Sequence, residues 1–206
     1  MPLIKHINID NKSDIFVWKI SESLNYFRQK LNLSWQDIEE IPSPTDKRKL
    51  EWLVVRYLLR LIIGADAEQY KKDEFGKPHL INSDLEISIS HSESYFALLI
   101  SNKNCGIDIQ KYTPKITRIA HKFMSESELN LGANLDQMDY LHYLWSAKEA
   151  VYKAYGRKNL RFIEHILIDK DKSAGEVQKE QLLHRYFVCD LSTNLYSLVY
   201  AIEEME

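Results

Sequence analysis

Three strand-like stretches follow one another between residues 85 and 110 with no helix between them, and that run restricts the fold more than any other feature. Leu85, Ile87 and Ile89 alternate with Glu86, Ser88 and Ser90, the period of two that marks a half-buried strand. Residues 95–100 are continuously apolar, so the two stretches form a hairpin whose turn, residues 91–94, presents Ser90 and His91. Residues 105–110 are a third strand, with Ile107 and Ile109 toward the core. Strands gathered in runs, with helices beside them and no regular βαβ alternation, indicate an α+β fold with mainly antiparallel sheet.

Helices flank the strands. Ser43 as N-cap, Pro44 at the first helical position and Asp46 where a capping box takes an acid open the clearest one. Leu50, Leu53, Val54, Tyr57, Leu58, Leu61 and Ile62 form its apolar stripe, and Gly64 ends it. The other face carries Lys47, Arg48, Lys49, Arg56 and Arg60, in the plainest reading a solvated helix face. Ile116, Ile119, Ala120 and Phe123 mark a second helix, and Ser125 with Glu128 caps a short third. Residues 138–155 form a long helix that Gly156 stops. Strands are expected around Ile7 and Ile9, at residues 162–168, 186–191 and 196–202, and a strand or helix start at 16–20; the charged segment 169–181 reads as a loop. Each half combines a long helix with several strands. This predicts two similar subdomains in a pseudo-twofold arrangement, residues 1–104 and 105–206, each a mainly antiparallel sheet packed with a long helix.

A chain of 206 residues, 45% hydrophobic and 28% charged, can bury a sizeable core without disulfides or a structural metal. Cys105 and Cys189 stand far apart in no metal-type spacing and read as buried thiols of a reduced, intracellular protein. A net charge of −3 does not point to nucleic acid. The first residues lack the apolar core of a signal peptide, and no stretch has the length of a membrane span, so a cytoplasmic protein without a membrane partner is expected. The six glycines never cluster, which excludes a P-loop and a GxGxxG fingerprint. Any phosphate must therefore be held mainly by side chains.

Few residues suggest chemistry one by one. Asp108 and Gln110 project from the same face of a strand, an arrangement ordinary at a sheet edge and equally a way to offer oxygen ligands to a hard cation. Glu149 and Lys153, four apart on a helix, make a surface ion pair or a base beside a cation. His91 and Lys77 each fit an ordinary turn.

Read in order, however, Gly76-Lys77-Pro78-His79-Leu80, the ISISHS stretch at 87–92, the GIDIQ stretch at 106–110, Phe123-Met124-Ser125 with Glu128, and the LWSAKEAVYKAYG stretch at 144–156 resemble the 4′-phosphopantetheinyl transferase superfamily. The similarity is to its larger, pseudo-dimeric type, which activates peptide and polyketide synthetases. It runs from about Lys47 to Gly156 and takes in the helix bearing Arg48 and Arg56. The resemblance implies a Mg²⁺ ion, with Mn²⁺ as the alternative, held by Asp108 and Glu149. It implies phosphate contacts to coenzyme A from Arg48, Arg56, Lys77, Ser90, His91 and Lys153, with Pro78 near the adenine. Where larger-type enzymes often carry glutamate, this chain has Gln110, a third metal-ligand candidate that brings no charge.

The activity so implied is transfer of phosphopantetheine from coenzyme A to a serine of an apo acyl or peptidyl carrier protein, with release of 3′,5′-adenosine bisphosphate. Asp108, Glu149 and Lys153 are the catalytic candidates, Glu149 as base. The carrier is expected to be acidic, facing Lys115, Arg118 and Lys122 interleaved with Ile116, Ile119 and Phe123. The internal duplication predicts a monomer. Two rival readings are a catalytically weakened coenzyme A-binding protein and a metal-dependent phosphohydrolase acting on coenzyme A.

Overall fold

The computed structural model describes residues 3–64, 70–81, 83–131 and 137–204. Its first sheet contains β1 (Leu3–Asp10), β2 (Ser13–Lys19), β3 (Tyr70–Lys72), β4 (Pro78–Leu80), β5 (Glu86–Ser92) and β6 (Tyr95–Ser101), in the order β1-β2-β6-β5-β4-β3. The second contains β7 (Cys105–Lys111), β8 (Ile166–Asp169), β9 (Ala174–Lys179), β10 (Leu182–Asp190) and β11 (Tyr196–Glu203), in the order β7-β11-β10-β9-β8. Neighbouring strands pair antiparallel throughout both sheets. The helices are α1 (Leu24–Lys30), α2 (Trp35–Glu40), α3 (Asp46–Ile62), α4 (Ile116–Ile119), α5 (Glu126–Leu131), α6 (Gln137–Tyr155) and α7 (Phe162–His165).

Strand alternation sorts the apolar residues into three cores, giving layers in the order helix, sheet, sheet, helix. In β2 and β6, Trp18, Phe96, Leu98 and Ile100 face α3, whose Leu53, Val54, Leu58 and Leu59 cover them. From the same two strands Ile15, Val17, Ala97 and Leu99 face the other way, onto Ile107, Ile109, Leu198 and Tyr200 of the second sheet. Val199 and Ala201 then face α6, which buries Leu144, Ala147, Ala150, Val151 and Ala154. Strands covered on both faces read as continuous apolar runs, which is why residues 95–100 and 196–202 lack alternation. The α+β reading and the long helix on each sheet agree with the sequence. Among the described residues no helix is long and apolar enough to cross a membrane.

Several local expectations are corrected. The helix expected from Ser43 starts two residues later: Thr45 is the N-cap, its Oγ1 accepting from Arg48 N at 3.4 Å, so Asp46 is the first helical residue and no capping-box acid. The turn expected at 91–94 is shorter, because His91 and Ser92 still pair with Phe96 and Tyr95, leaving Glu93 at φ 53° to reverse the chain. The helix expected through Phe123 breaks into α4 and a 3₁₀ turn at Ala120–Lys122. The start of the strand expected at 162–168 is instead α7. There Phe162 packs against Trp145 and Tyr152 of α6, and Arg161 N donates to His165 Nδ1. Segment 169–181 contains β9, whose Gly175 and Val177 face the core while the charged Glu176 lies on the opposite side. Cys189 is only partly buried.

Candidate active site

The site is built where α6 crosses β7. A Cβ on Gly106 would stand 1.8 Å from the Ala150 carbonyl oxygen and 2.6 Å from Ala154 N. Both are backbone atoms that cannot swing aside, so only glycine lets the helix approach the strand this closely. Two residues along the strand, Asp108 then meets the same helix. Lys153 Nζ donates to Asp108 Oδ1 at 2.8 Å and to the Ile107 carbonyl at 2.9 Å. From β5 the Ser90 hydroxyl donates to that same Oδ1 at 2.9 Å.

Asp108 is 5% exposed, and its second oxygen, Oδ2, is buried without a hydrogen-bond partner. Glu149 stands one helical turn before Lys153. Burial pushes its carboxyl above the usual carboxylate range, Lys153 opposes this, and the charge on Asp108 adds to it. A buried carboxylate oxygen without a donor, beside a second carboxylate, is costly unless a cation or a ligand completes it.

The serines of the ISISHS stretch join the two sheets. β7 is an edge strand of the second sheet, and its outward N–H groups need acceptors. Ile107 N donates to Ser88 Oγ and Lys111 N to Ser92 Oγ, each at 3.0 Å. Ser88, Ser90 and Ser92 share one face of β5 because they alternate along it.

Next to this crossing lies a cavity of about 500 Å³ between the two halves. One wall comes from Arg48, Glu51 and Trp52 of α3, Tyr70 and Lys72 of β3, the segment from Phe75 to Pro78, and His91 of β5. The other is Tyr152 and Lys153 of α6 with Gly156 and Arg157. Arg48, Lys72, Lys77, Lys153 and Arg157 set five lysine or arginine charges against one carboxylate, Glu51, so the cavity suits a polyanion. Trp52, Tyr70, Phe75 and Tyr152 add aromatic surface.

Of the residues singled out in the sequence, Asp108, Glu149, Lys153 and Ser90 meet at the crossing. Arg48, Lys77, Pro78, His91 and Lys153 line the cavity, Lys153 belonging to both groups. The Lys77 ammonium also reaches Glu86 at 3.1 Å, Asn104 Oδ1 at 2.9 Å and the Ala154 carbonyl at 3.4 Å, tying the first sheet to the C-terminus of α6. His91 Nε2 is 3.4 Å from Glu51 Oε2.

Arg56 stands behind the wall, its guanidinium 3.3 Å from the Trp52 ring centroid and 4.9 Å from that of Tyr70. Gln110 lies two residues beyond Asp108 on the same strand face, partly exposed; the contacts at Asp108 come from Ser90 and Lys153. Among the described residues no group of three His, Cys, Asp or Glu side chains could hold a metal alone. Lys115, Arg118 and Lys122 are exposed, but Ile116 and Phe123 are core residues, which leaves the half-buried Ile119 as the remaining apolar component of that surface. Tyr70, Lys72 and Arg157 went unrecognised in the sequence. The signal they offered is a pair of adjacent basic residues in each of two short stretches, Lys71-Lys72 in β3 and Arg157-Lys158 after α6.

Residues 104–201 match the family model described as the 4′-phosphopantetheinyl transferase superfamily. The 4′-phosphopantetheinyl transferase gsp of Aneurinibacillus migulanus is 31% identical over 134 residues, 63% of this chain and 56% of that protein. The 4′-phosphopantetheinyl transferase Sfp of Bacillus subtilis (strain 168) is 34% identical over 110 residues, 48% of this chain and 49% of that protein. The chain thus spans about half the length of the curated relatives it matches. A solved holo-(acyl-carrier-protein) synthase from Bacillus anthracis str. Ames, in complex with CoA (3′,5′-ADP), aligns with 50% of this chain and 96% of that chain at 17% identity and a TM-score of 0.39. The match to the model of the 4′-phosphopantetheinyl transferase superfamily over residues 104–201 takes in both the strand bearing Asp108 and the helix bearing Glu149 and Lys153.

Proposed function

We propose that the chain moves the 4′-phosphopantetheine group of coenzyme A onto a serine of an apo acyl or peptidyl carrier protein, in a Mg²⁺-dependent reaction that releases 3′,5′-adenosine bisphosphate. The observation that carries this reading is the buried, unpartnered Oδ2 of Asp108 beside Glu149, joined through Lys153 to a basic, aromatic-walled cavity. Two carboxylates against one lysine leave a net negative charge at the crossing. Mg²⁺ characteristically takes one or two carboxylates and completes its shell with water and substrate phosphates, so Asp108 and Glu149 fit it; Mn²⁺ has the same taste for oxygen. Gln110, on the same face of β7 as Asp108, is the third candidate ligand. When bound, the ion would neutralise charge growing on the phosphoryl oxygens.

The chain's own residues account for the remaining steps. Arg48, Lys77, His91 and Lys153, with Lys72 and Arg157, hold the diphosphate and the 3′-phosphate, while Arg56 braces the Trp52 and Tyr70 rings and Pro78 flanks the adenine. A carrier serine attacks the β-phosphorus. Its oxygen forms the new P–O bond as the bond from that phosphorus to the bridging oxygen breaks, and adenosine bisphosphate departs with the electron pair. Glu149 accepts the serine proton. A carboxyl that burial holds above the usual range is better matched to this task than an exposed one. Lys153 sets its ammonium beside the diphosphate.

Residues 1–104 supply most of the coenzyme A wall in this reading, and residues 105–206 the metal and the base. Exposed Lys115, Arg118 and Lys122 suit an acidic carrier. This reading takes the enzyme to act as a cytoplasmic monomer; both cavity walls coming from one chain supports the monomer. Intact mass of an apo carrier protein after incubation with coenzyme A and Mg²⁺ tests the proposal. A gain of one phosphopantetheine, lost without metal and cut about 10³-fold in rate by Glu149→Gln, is expected. Release of free phosphopantetheine with no gain on any carrier would replace it with a hydrolase.

A further inference from the structure

We infer that Ser90 is a positioning residue for the metal-binding carboxylate of Asp108 and not a ligand of the coenzyme A phosphates, an inference that rests on the transferase reading above. A serine hydroxyl has one proton to give, and a phosphate oxygen can only accept. In Ser90 that proton is committed, because Oγ donates to Asp108 Oδ1 at 2.9 Å. Ser90 is 7% exposed and does not line the cavity, although Ser88, Ile89 and His91 around it do.

The same oxygen takes a second donor, Lys153 Nζ at 2.8 Å. Two donors arriving from different elements, β5 and α6, fix the rotation of the carboxylate. They also decide which oxygen is used up, leaving Oδ2 as the buried oxygen without a hydrogen-bond donor, the one a cation would complete. Ser88 and Ser92 show how the residue is held in place. They accept from the backbone of β7 on either side, so the row of alternate serines locks the two strands together and Ser90 alone reaches a side chain. Groups that orient a metal ligand from behind typically contribute 10- to 100-fold to metal affinity.

The test is Mn²⁺ binding to the full chain, followed by electron paramagnetic resonance with and without coenzyme A, alongside transfer kinetics. Ser90→Ala should weaken Mn²⁺ binding about 10-fold or more and raise the half-saturating Mg²⁺ concentration in step. The KM for coenzyme A at saturating Mg²⁺ should stay unchanged. Ser90→Cys keeps the volume but offers only a weak donor, so it should behave like the alanine variant. Ser92→Ala, which cuts a neighbouring rung, should leave Mn²⁺ affinity as it was. A raised KM for coenzyme A with intact Mn²⁺ binding would overturn the inference, as would a Ser90→Cys variant that binds Mn²⁺ like the unaltered chain. Absence of Mn²⁺ binding in the unaltered chain would overturn it too. The metal titration needs no carrier, so a chain that binds Mn²⁺ through Ser90-supported Asp108 but modifies no carrier would sink the transferase reading alone.

Discussion

Two lysines five residues apart on α6 each meet a buried carboxylate, and the two meetings end differently. Lys148 lies 2.8 Å from Glu128 Oε1, donates to Oε2 at 2.9 Å, and donates to the Phe162 carbonyl at 3.0 Å. Ser125 adds its N–H and hydroxyl to Glu128 Oε2, closing a capping box at the start of α5. Lys153 donates to one oxygen of Asp108, and the other is buried without a hydrogen-bond donor. Glu128 Oε1, like Asp108 Oδ2, accepts no hydrogen bond, but the Lys148 ammonium stands 2.8 Å from it, and this pair holds α5, α6 and α7 together. A pair with an oxygen left over, beside a carboxyl that burial pushes up, is open to a cation or substrate. Lys148 and Lys153 look alike in the sequence; the completeness of their partners separates them.

The comparison breaks first at Lys148. Burial holds its ammonium below the ordinary lysine range while Glu128 pulls it back up, so the pair survives only as a pair. Lys148→Met strands the Glu128 charge and should cost about 3–5 kcal/mol in denaturant unfolding. Adding Glu128→Leu should recover most of that, less about 1 kcal/mol for the lost cap. Transfer per folded molecule should hardly change in the double variant. A collapse of transfer with stability preserved would make Lys148 a site residue and erase the distinction.

Glu149 sharpens the other side. With metal removed, its ionised carboxylate is buried against Asp108, so the fold is weakened by the same charge that serves the site. Glu149→Gln should therefore raise the Tm of metal-free protein by about 2–4 °C at neutral pH while cutting transfer about 10³-fold. The sign follows from its raised folded-state pKa. The unaltered chain carries no penalty while Glu149 is protonated and takes it on as pH climbs above the unfolded value of 4.5. The gap between the two proteins should therefore close at low pH. Thermal melts with a chelator at several pH values check this, and an unchanged Tm would mean Glu149 is better solvated than its position implies.

How much of this was legible in the sequence differs by element. Strands whose one-sided or two-sided burial leaves an apolar signature, β5 to β7 and β11, stand out in the residues themselves. α7 and β9 do not: the shape of α7 is set by Trp145 under Phe162, and β9 is a charged, irregular stretch that becomes a strand by pairing with its neighbours β8 and β10 on either side of Val177. In the site, the order of motifs brought Asp108, Glu149 and Lys153 together, but no spacing rule could tell that Ser90 would spend its proton on Asp108. The need for Gly106 is likewise invisible until α6 lies on top of it.

His142, earlier on the same helix, gives the finest test, as an ionisable side chain that is buried, complete and remote from chemistry. Its ring is fully buried; Nε2 accepts from Thr113 N at 3.1 Å, which leaves Nδ1 to donate to the Met138 carbonyl at 2.9 Å. Both nitrogens are satisfied only in the neutral ring, since a proton on Nε2 would confront the Thr113 N–H. Burial accordingly holds its pKa below 6.5, against the Met138 carbonyl and the nearby Asp139, which favour the charged form. A depressed histidine gives stability that is present above the unfolded value and is lost as pH falls through it. Between pH 7 and pH 6 the loss from this one group amounts to less than about 0.7 kcal/mol, or about 1–2 °C in Tm. His142→Gln should be less stable throughout but should show a shallower decline across that interval, with Mn²⁺ affinity unchanged. If acidification instead weakened Mn²⁺ binding in the unaltered chain and not in His142→Gln, the loop from Tyr112 to Thr113 would be transmitting the proton to the end of β7. The boundary between scaffold and site would then have to be drawn on the near side of His142.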